Sequence, residues 1–211
     1  MKKSFSLIVS LLCGCSLCGC FATFDGARVY NGTRSVFSGA VIQESEGSQN
    51  YPMGVFGVRS GYINKTDSTR NIEAGGLLEI FPSKGPVYFS WDEGGSSHEE
   101  NGIRMQFNMD VKYQCIINAP FDGSLRFRTY LPWIIWPDVS LVLGKNFKGN
   151  DLYIEAGQNI WSFNSLSKEG LNGLTLIKAG AKLPLTQHTA FLVEVGRSYG
   201  FVHAGIGVEL R

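Results

Sequence analysis

The run Asp92-Glu93-Gly94-Gly95-Ser96-Ser97-His98-Glu99-Glu100 gathers four carboxylates and an imidazole into nine residues. Hard cations such as calcium take carboxylate and carbonyl oxygens from flexible loops, so weak ion binding is one reading of it. Its spacing matches no defined cation loop, and a solvated acidic loop accounts for it more simply. His203 offers a second chemistry, as the base of a surface hydrolase or acyltransferase working with Ser198 or Glu209. His203 and Glu209, however, merely share one face of an alternating segment. The rest of the inventory is thin. His98, His188 and His203 are the only imidazoles, no His-x-x-x-His or Cys-x-x-Cys pair stands beyond residue 20, and no glycine-rich strand-to-helix turn is present to cradle phosphate. Cys115 lies on an apolar face and reads as an inert small hydrophobe. The sequence therefore assigns no catalytic residue, no metal and no cofactor, and predicts a protein that is not an enzyme.

One cysteine carries chemistry of another kind. Lys2 and Lys3 open an apolar stretch that closes on Leu17-Cys18-Gly19-Cys20. A positive start, an apolar run and small residues before a processing point make a secretory signal peptide, too short to span a bilayer comfortably. The last four residues have the lipobox pattern, in which an apolar residue and two small ones precede a cysteine that receives lipid and becomes the new N-terminus. Leu12-Cys13-Gly14-Cys15 fits the same pattern, yet cleavage there would leave only about nine apolar or small residues behind the lysines. Cys20 is therefore the predicted lipidation site, with membrane lipid as its partner. Residues 1–19 are read as the signal peptide, 20–26 as a lipidated tether and 27–211 as one β-barrel domain.

Composition narrows the remainder. Of the 211 residues, 19 are basic and 18 acidic, and loss of Lys2 and Lys3 with the signal leaves a net charge near zero, so nothing attracts nucleic acid. Once the leader is removed, Cys115 is the only thiol besides Cys20, so no internal disulfide is expected. The 26 glycines are scattered and read as strand and turn punctuation. Past the signal no apolar run reaches the roughly 20 residues of a transmembrane helix, so any membrane entry must use strands.

The dominant pattern is period two. From Gly102 to Ile116, Ile103, Met105, Phe107, Met109, Val111, Tyr113 and Cys115 share one face, and Arg104, Gln106, Asn108, Asp110, Lys112 and Gln114 share the other. A helix cannot mimic alternation of that length. At about 3.3 Å per residue the segment runs near 50 Å, enough to cross a bilayer obliquely. The same alternation marks 28–42, 53–63, 72–80, 125–131, 139–145, 152–156, 175–183, 191–195 and 202–210, separated by turn residues such as Lys148-Gly149-Asn150-Asp151. No convincing helix intervenes. The predicted fold is all-β, an antiparallel up-and-down barrel of about eight to ten strands.

The polar faces carry Arg59, Glu73, Glu79, Arg104, Asp110, Lys112, Arg126, Arg128, Glu155, Lys178, Lys182, Glu194, His203 and Glu209. In a soluble sheet these would be a solvated outer surface. In a membrane barrel they would point into a narrow lumen, where mixed signs could pair and fill it. Long strands favour the membrane arrangement, as do the aromatic run Tyr130-Leu131-Pro132-Trp133-Ile134-Ile135-Trp136-Pro137 and the contrast between short turns and the longer stretches Gln43–Asn50 and Asp92–Asn101.

The segments Cys20-Phe21-Ala22-Thr23-Phe24-Asp25-Gly26-Ala27-Arg28, Tyr51 to Ile63 and Asp110-Val111-Lys112-Tyr113-Gln114 together resemble uncharacterised bacterial lipoproteins that are similar to outer-membrane β-barrel proteins. In that family a lipidated cysteine leads through an ATF-x-x-AR segment into glycine-rich alternating strands, one of them ending in D-[VG]-K-Y-Q. The resemblance implies a lipid-anchored envelope protein at the outer membrane with a structural or interaction role, and it implies no reaction. Outer-membrane barrels typically end in an aromatic residue, whereas this chain ends Val208-Glu209-Leu210-Arg211. Two other readings stay open at this point. One is a lipid-tethered periplasmic barrel with its apolar faces turned inward around a small apolar ligand; the other is a membrane-barrel enzyme acting on lipid. Protein partners are not legible.

Overall fold

The computed structural model describes residues 24–44, 50–64, 71–84, 101–117, 120–131, 137–160, 174, 176–198 and 201–211. Ten strands follow one another: β1 Gly32–Glu44, β2 Asn50–Tyr62, β3 Asn71–Lys84, β4 Asn101–Ile116, β5 Asp122–Leu131, β6 Asp138–Phe147, β7 Asn150–Asn159, β8 Leu176–Pro184, β9 Thr189–Ser198 and β10 Phe201–Leu210. Each pairs antiparallel with the next, and β1 closes on β10 from Ser35↔Leu210 to Glu44↔Phe201. The result is the expected all-β up-and-down barrel, at the upper end of the expected strand number. Closure leaves no unpaired edge to be covered.

The barrel has two distinct rims. One carries the start of β1, the end of β10 and the connections 63–70, 117–121, Lys148-Gly149 and 185–188. The other carries 45–49, 85–100, 132–137, 160–175 and 199–200, so the two longest connections lie there. They are called the turn rim and the loop rim below. At the turn rim Lys148 and Gly149 have φ of 53° and 91°, and Phe147 pairs with Asn150. Both central residues of this two-residue turn are left-handed, the type I′ geometry whose twist matches that of paired strands. In β4 the register against β5 shifts between Gln114 and Ile116, which leaves Cys115 as the extra residue of a bulge.

Side-chain alternation decides which face is inside. Along β4, Met105 is 69% exposed, Phe107 42% and Met109 47%, whereas Asn108 is 0%, Asp110 3% and Lys112 1%. Leu125 and Phe127 are exposed beside buried Arg126 and Arg128, and Ile154 beside buried Glu155. In β10 Val202, Ile206 and Val208 are exposed while His203 and Glu209 are buried. Apolar side chains thus cover the outside and ionisable ones fill the inside, the reverse of a soluble barrel. This arrangement excludes the reading in which apolar faces turn inward around a ligand over most of the wall. A local exception is an apolar patch on the inner wall, where Val36, Ala40, Ile42, Met53, Val55, Leu77 and Leu192 cluster around Phe24.

β1 begins at Gly32, four residues later than the alternation suggested, because residues 24–31 are not in the wall at all. Phe24, Asp25 and Gly26, which the sequence reading assigned to the tether 20–26, are buried inside the barrel.

Candidate functional site in the barrel lumen

A chain that enters a barrel without joining its sheet must find hydrogen-bond partners for its backbone among side chains. Phe24 to Tyr30 does so. The Phe24 N–H donates to Glu194 Oε2 at 3.0 Å, and the Val29 N–H donates to Gln114 Oε1 at 3.1 Å. Lys112 Nζ donates to the carbonyls of Gly26 (3.0 Å) and Arg28 (2.9 Å), Arg126 to that of Asp25 (3.2 Å), and Ser124 Oγ to that of Ala27. The chain then reverses at the turn rim into β1. Gly32 makes that reversal with φ of 93°, a conformation that side chains rarely adopt.

Asp25 is the hub. Its carboxylate lies 2.6 Å from Arg126, 2.7 Å from Lys112, 3.1 Å from Arg34 and 3.4 Å from Arg59. The cations are shared with other carboxylates: Arg59 grips Asp110 through both oxygens at 2.8 and 3.0 Å, and Lys112 also reaches Glu73 at 3.1 Å. Arg34 pairs with Glu73 and, at 2.7 Å, with Glu209. On the next sector Glu155 accepts from Arg126 (2.7 Å), Ser140 Oγ (2.6 Å) and Arg128 (3.4 Å). Burying any one of these charges alone would be costly. Together they form a network in which carboxylates alternate with cations, the condition under which buried ions are tolerated.

Each end of the segment is held by a different device. At the turn rim Tyr30 bonds Asp151, and its ring lies under Lys182 Nζ at 3.8 Å, with Arg211 at 4.4 Å and Arg34 at 4.9 Å. Deep in the lumen, Glu194 collects the Phe24 N–H, Tyr153 Oη at 2.7 Å, His203 Nε2 at 3.2 Å and Lys178 Nζ at 3.9 Å. A Cβ on Gly205 would sit 2.7 Å from both Phe24 Cζ and Ala40 Cβ, so the Phe24 ring packs against bare backbone. Gly205→Val is expected to displace that ring and cost about 1–3 kcal/mol, measured as a lower temperature for loss of the compact band on an unboiled gel.

The sequence candidates fall as follows. Cys20, His98, the run Asp92–Glu100 and the Trp133 and Trp136 pair lie outside the described residues. His188 is exposed in the β8–β9 turn. His203 and Ser198 face inward on neighbouring strands, where His203 opposes Gly196 and Ser198 opposes Phe201. His203 bonds Glu194 instead of Glu209, and its Nδ1 makes no hydrogen bond among the described residues, so Ser198 does not complete a nucleophile–base pair. Glu209 is engaged with Arg34, Lys182 and Arg211. Cys115 is exposed on the outer face, its Sγ 3.5 Å from the Gly123 carbonyl. Among the described residues no group of three or more His, Cys, Asp or Glu is placed to hold a metal.

Sequence reasoning missed Asp25, Arg34, Tyr30 and Tyr153. No local pattern marks Asp25. It becomes a candidate only when the strand register gathers Arg34, Arg59, Lys112 and Arg126 around one height of the lumen.

No protein-family model matches the chain, and no curated protein is significantly similar to it. Among solved structures, it is similar to "KdgM porin" at 11% identity and a TM-score of 0.47, over 83% of this chain and 98% of that chain. The S-type phycobiliprotein lyase CPES from Guillardia theta has 10% identity and a TM-score of 0.46, over 86% and 87%. A mutant form of Rh. blastica porin has 8% identity and a TM-score of 0.32, over 87% and 99%. Likenesses below a TM-score of 0.5 that include both porins and a lyase choose no function.

Proposed function

We propose that this chain is an outer-membrane β-barrel, additionally anchored by lipid on Cys20, with a non-enzymatic structural or interaction role in the cell envelope. The observation that carries this reading is the outer surface. Every strand exposes at least one large apolar side chain, from Phe37 on β1 to Leu210 on β10, while the inward positions hold the charges. Soluble monomers rarely expose contiguous apolar patches larger than a few hundred Å². Strands of 9 to 16 residues match the roughly 9–11 that a tilted crossing needs. The lumen argues for a structural role, since its charged groups are engaged with each other and with the segment 24–30.

The test compares the same substitution at two depths. Phe107 lies mid-strand in β4 and Phe147 at the end of β6, and both are exposed. Phe107→Arg should cost about 2–4 kcal/mol and Phe147→Arg about 0–1 kcal/mol if lipid covers the barrel. On a water-covered surface both should stay within about 0.5 kcal/mol, and that result would remove the membrane reading. As a second readout, single cysteines at 105, 107 and 109 in a Cys115→Ala background should be hidden from water-soluble thiol reagents and close to lipid-borne quenchers. The anchor is checked separately: intact mass should show acyl chains on wild type, and Cys20→Ala should leave an unprocessed, lipid-free precursor.

A further inference from the structure

We infer that the outer wall carries a site for one anionic lipid: an acyl chain lies in a groove across β6 to β9, and Arg197 holds the headgroup phosphate at the loop rim. The inference rests on the membrane reading above and adds to it a fixed place for one kind of lipid.

The groove follows from side-chain size and strand register. Outward positions alternate along each strand, and pairing sets them in rows across the wall. In one row Ala156 of β7 stands between Leu141 of β6 and Ile177 of β8. In the next, Ala179 of β8 stands between Ile154 of β7 and Val195 of β9. All six are exposed on the outer face. A methyl group between two branched side chains leaves a hollow, and these two hollows are diagonal neighbours. They merge into one groove of about 470 Å³ with an apolar lining, a volume within the roughly 300–1,000 Å³ of small-molecule sites. It reaches from Ile177, the second residue of β8 at the loop rim, to Ile154, midway along β7. Its length is thus confined to the loop-rim half of the wall, as an acyl chain of a single leaflet would be.

Charge selects the lipid. Among the strand residues whose exposure is described, Lys145 and Arg197 are the only exposed charged side chains, and both are cations. No ion pair with another described residue engages either of them. A cation on a lipid-facing wall is costly unless it reaches the headgroup level, where an anion compensates it. Arg197 is the next-to-last residue of β9 at the loop rim, opposes Ile177 across the β8 pairing and lines the mouth of the groove. Its planar guanidinium can take two phosphate oxygens at once. A lipid held there directs its acyl chain inward over Ala156 and Ala179. Lys145 sits toward the turn-rim end of β6 and outside the groove, so it offers the same charge without the hollow.

The test uses full-length protein in mild detergent, titrated with phosphatidylglycerol or phosphatidylcholine of identical acyl chains and read by native mass spectrometry. Wild type should hold one phosphatidylglycerol about fivefold more tightly than phosphatidylcholine, the preference that one basic residue gives at an anionic surface. Arg197→Gln should level the two lipids. Ala179→Phe fills the groove and leaves the charge, and should weaken both; if it does not give the compact gel form, Ala156→Leu fills the other hollow. Lys145→Gln should change neither lipid. Equal binding of both lipids by wild type would overturn the proposal, and so would a preference that survives filling of the groove, since charge would then suffice alone. A dimer in place of the lipid adduct would overturn it as well, by making a second copy of the chain the occupant. The comparison of Phe107→Arg with Phe147→Arg keeps the two layers apart: if lipid covers the barrel by that measure and the two lipids bind equally, only the present proposal falls.

Discussion

Asp25→Ala should strongly destabilise the barrel interior. The carboxylate is 1% exposed and lies within 3.4 Å of four cations, so its removal leaves Arg34, Arg59, Lys112 and Arg126 with only the carboxylates they share with the rest of the network, Glu73, Asp110, Glu155 and Glu209. Breaking a buried ion cluster by deleting one partner costs about 3–5 kcal/mol, because the remaining charges stay desolvated without compensation. Urea unfolding followed by loss of the compact gel form should read that loss. Asp25→Asn keeps an oxygen that can accept a hydrogen bond and should lie between wild type and alanine. Adding Lys112→Met to Asp25→Ala removes one cation from a network left with excess positive charge and should recover part of the loss, which a double-mutant cycle would report as coupling. A cost below about 0.5 kcal/mol for Asp25→Ala, the size of an ordinary surface change, would show that water fills the lumen and the network contributes nothing.

Glu194→Ala is the second large effect. It strands Lys178 and leaves the Phe24 N–H, the Tyr153 hydroxyl and His203 Nε2 without their acceptor. The expected cost is again about 3–5 kcal/mol. Glu194→Gln retains one oxygen for the Phe24 and Tyr153 donors but loses the charge and the acceptor facing His203 Nε2 and Lys178, so its stability should lie between those of alanine and wild type. The diagnostic is specific to the segment: with its deep end released, trypsin should gain access to Arg28 before the wall unfolds, whereas Glu155→Ala, which touches Arg126 and Arg128, should destabilise without first exposing Arg28. Simultaneous loss of both would mean that segment and wall melt as one unit.

The wall was legible because period two is a local signal. Each of Met105, Phe107 and Met109 is assigned to one face by its immediate neighbours, and the structure puts all of them outside. β2 was harder to orient, since Met53 and Val55 line the inner wall while Phe56 and Val58 cover the outer one. The pairing inside the lumen was not legible. Arg59 meets Asp110 and Arg126 meets Glu155 across strands that are far apart in sequence, and which residues share a height depends on strand stagger. The segment 24–30 was not legible as a lumen element: the alternation read over 28–42 carried Arg28 to Tyr30 into the first strand, whereas the segment's backbone bonds to side chains instead of a neighbouring strand. His203 was legible as a polar-face residue, but its partner was not: Ser198 and Glu209 were the candidates along the chain, and the contact is made across to Glu194.

The β1–β10 seam bears on the order of assembly. Its outermost pair joins Ser35 to Leu210, so the ring cannot be completed until residue 210 has been made. Contacts of that sequence separation are slow to form, since the whole intervening chain must be restrained first. The lumen segment is bonded to residues of β4, β5, β7 and β9, which span most of the wall. A segment already lying among those strands when the seam zips up would be enclosed as the wall closes, whereas one left outside would have to be drawn through a finished ring past a dense layer of ion pairs. In the first order, Asp25 would bring cations of β1, β2, β4 and β5 to one centre before the last strand arrives.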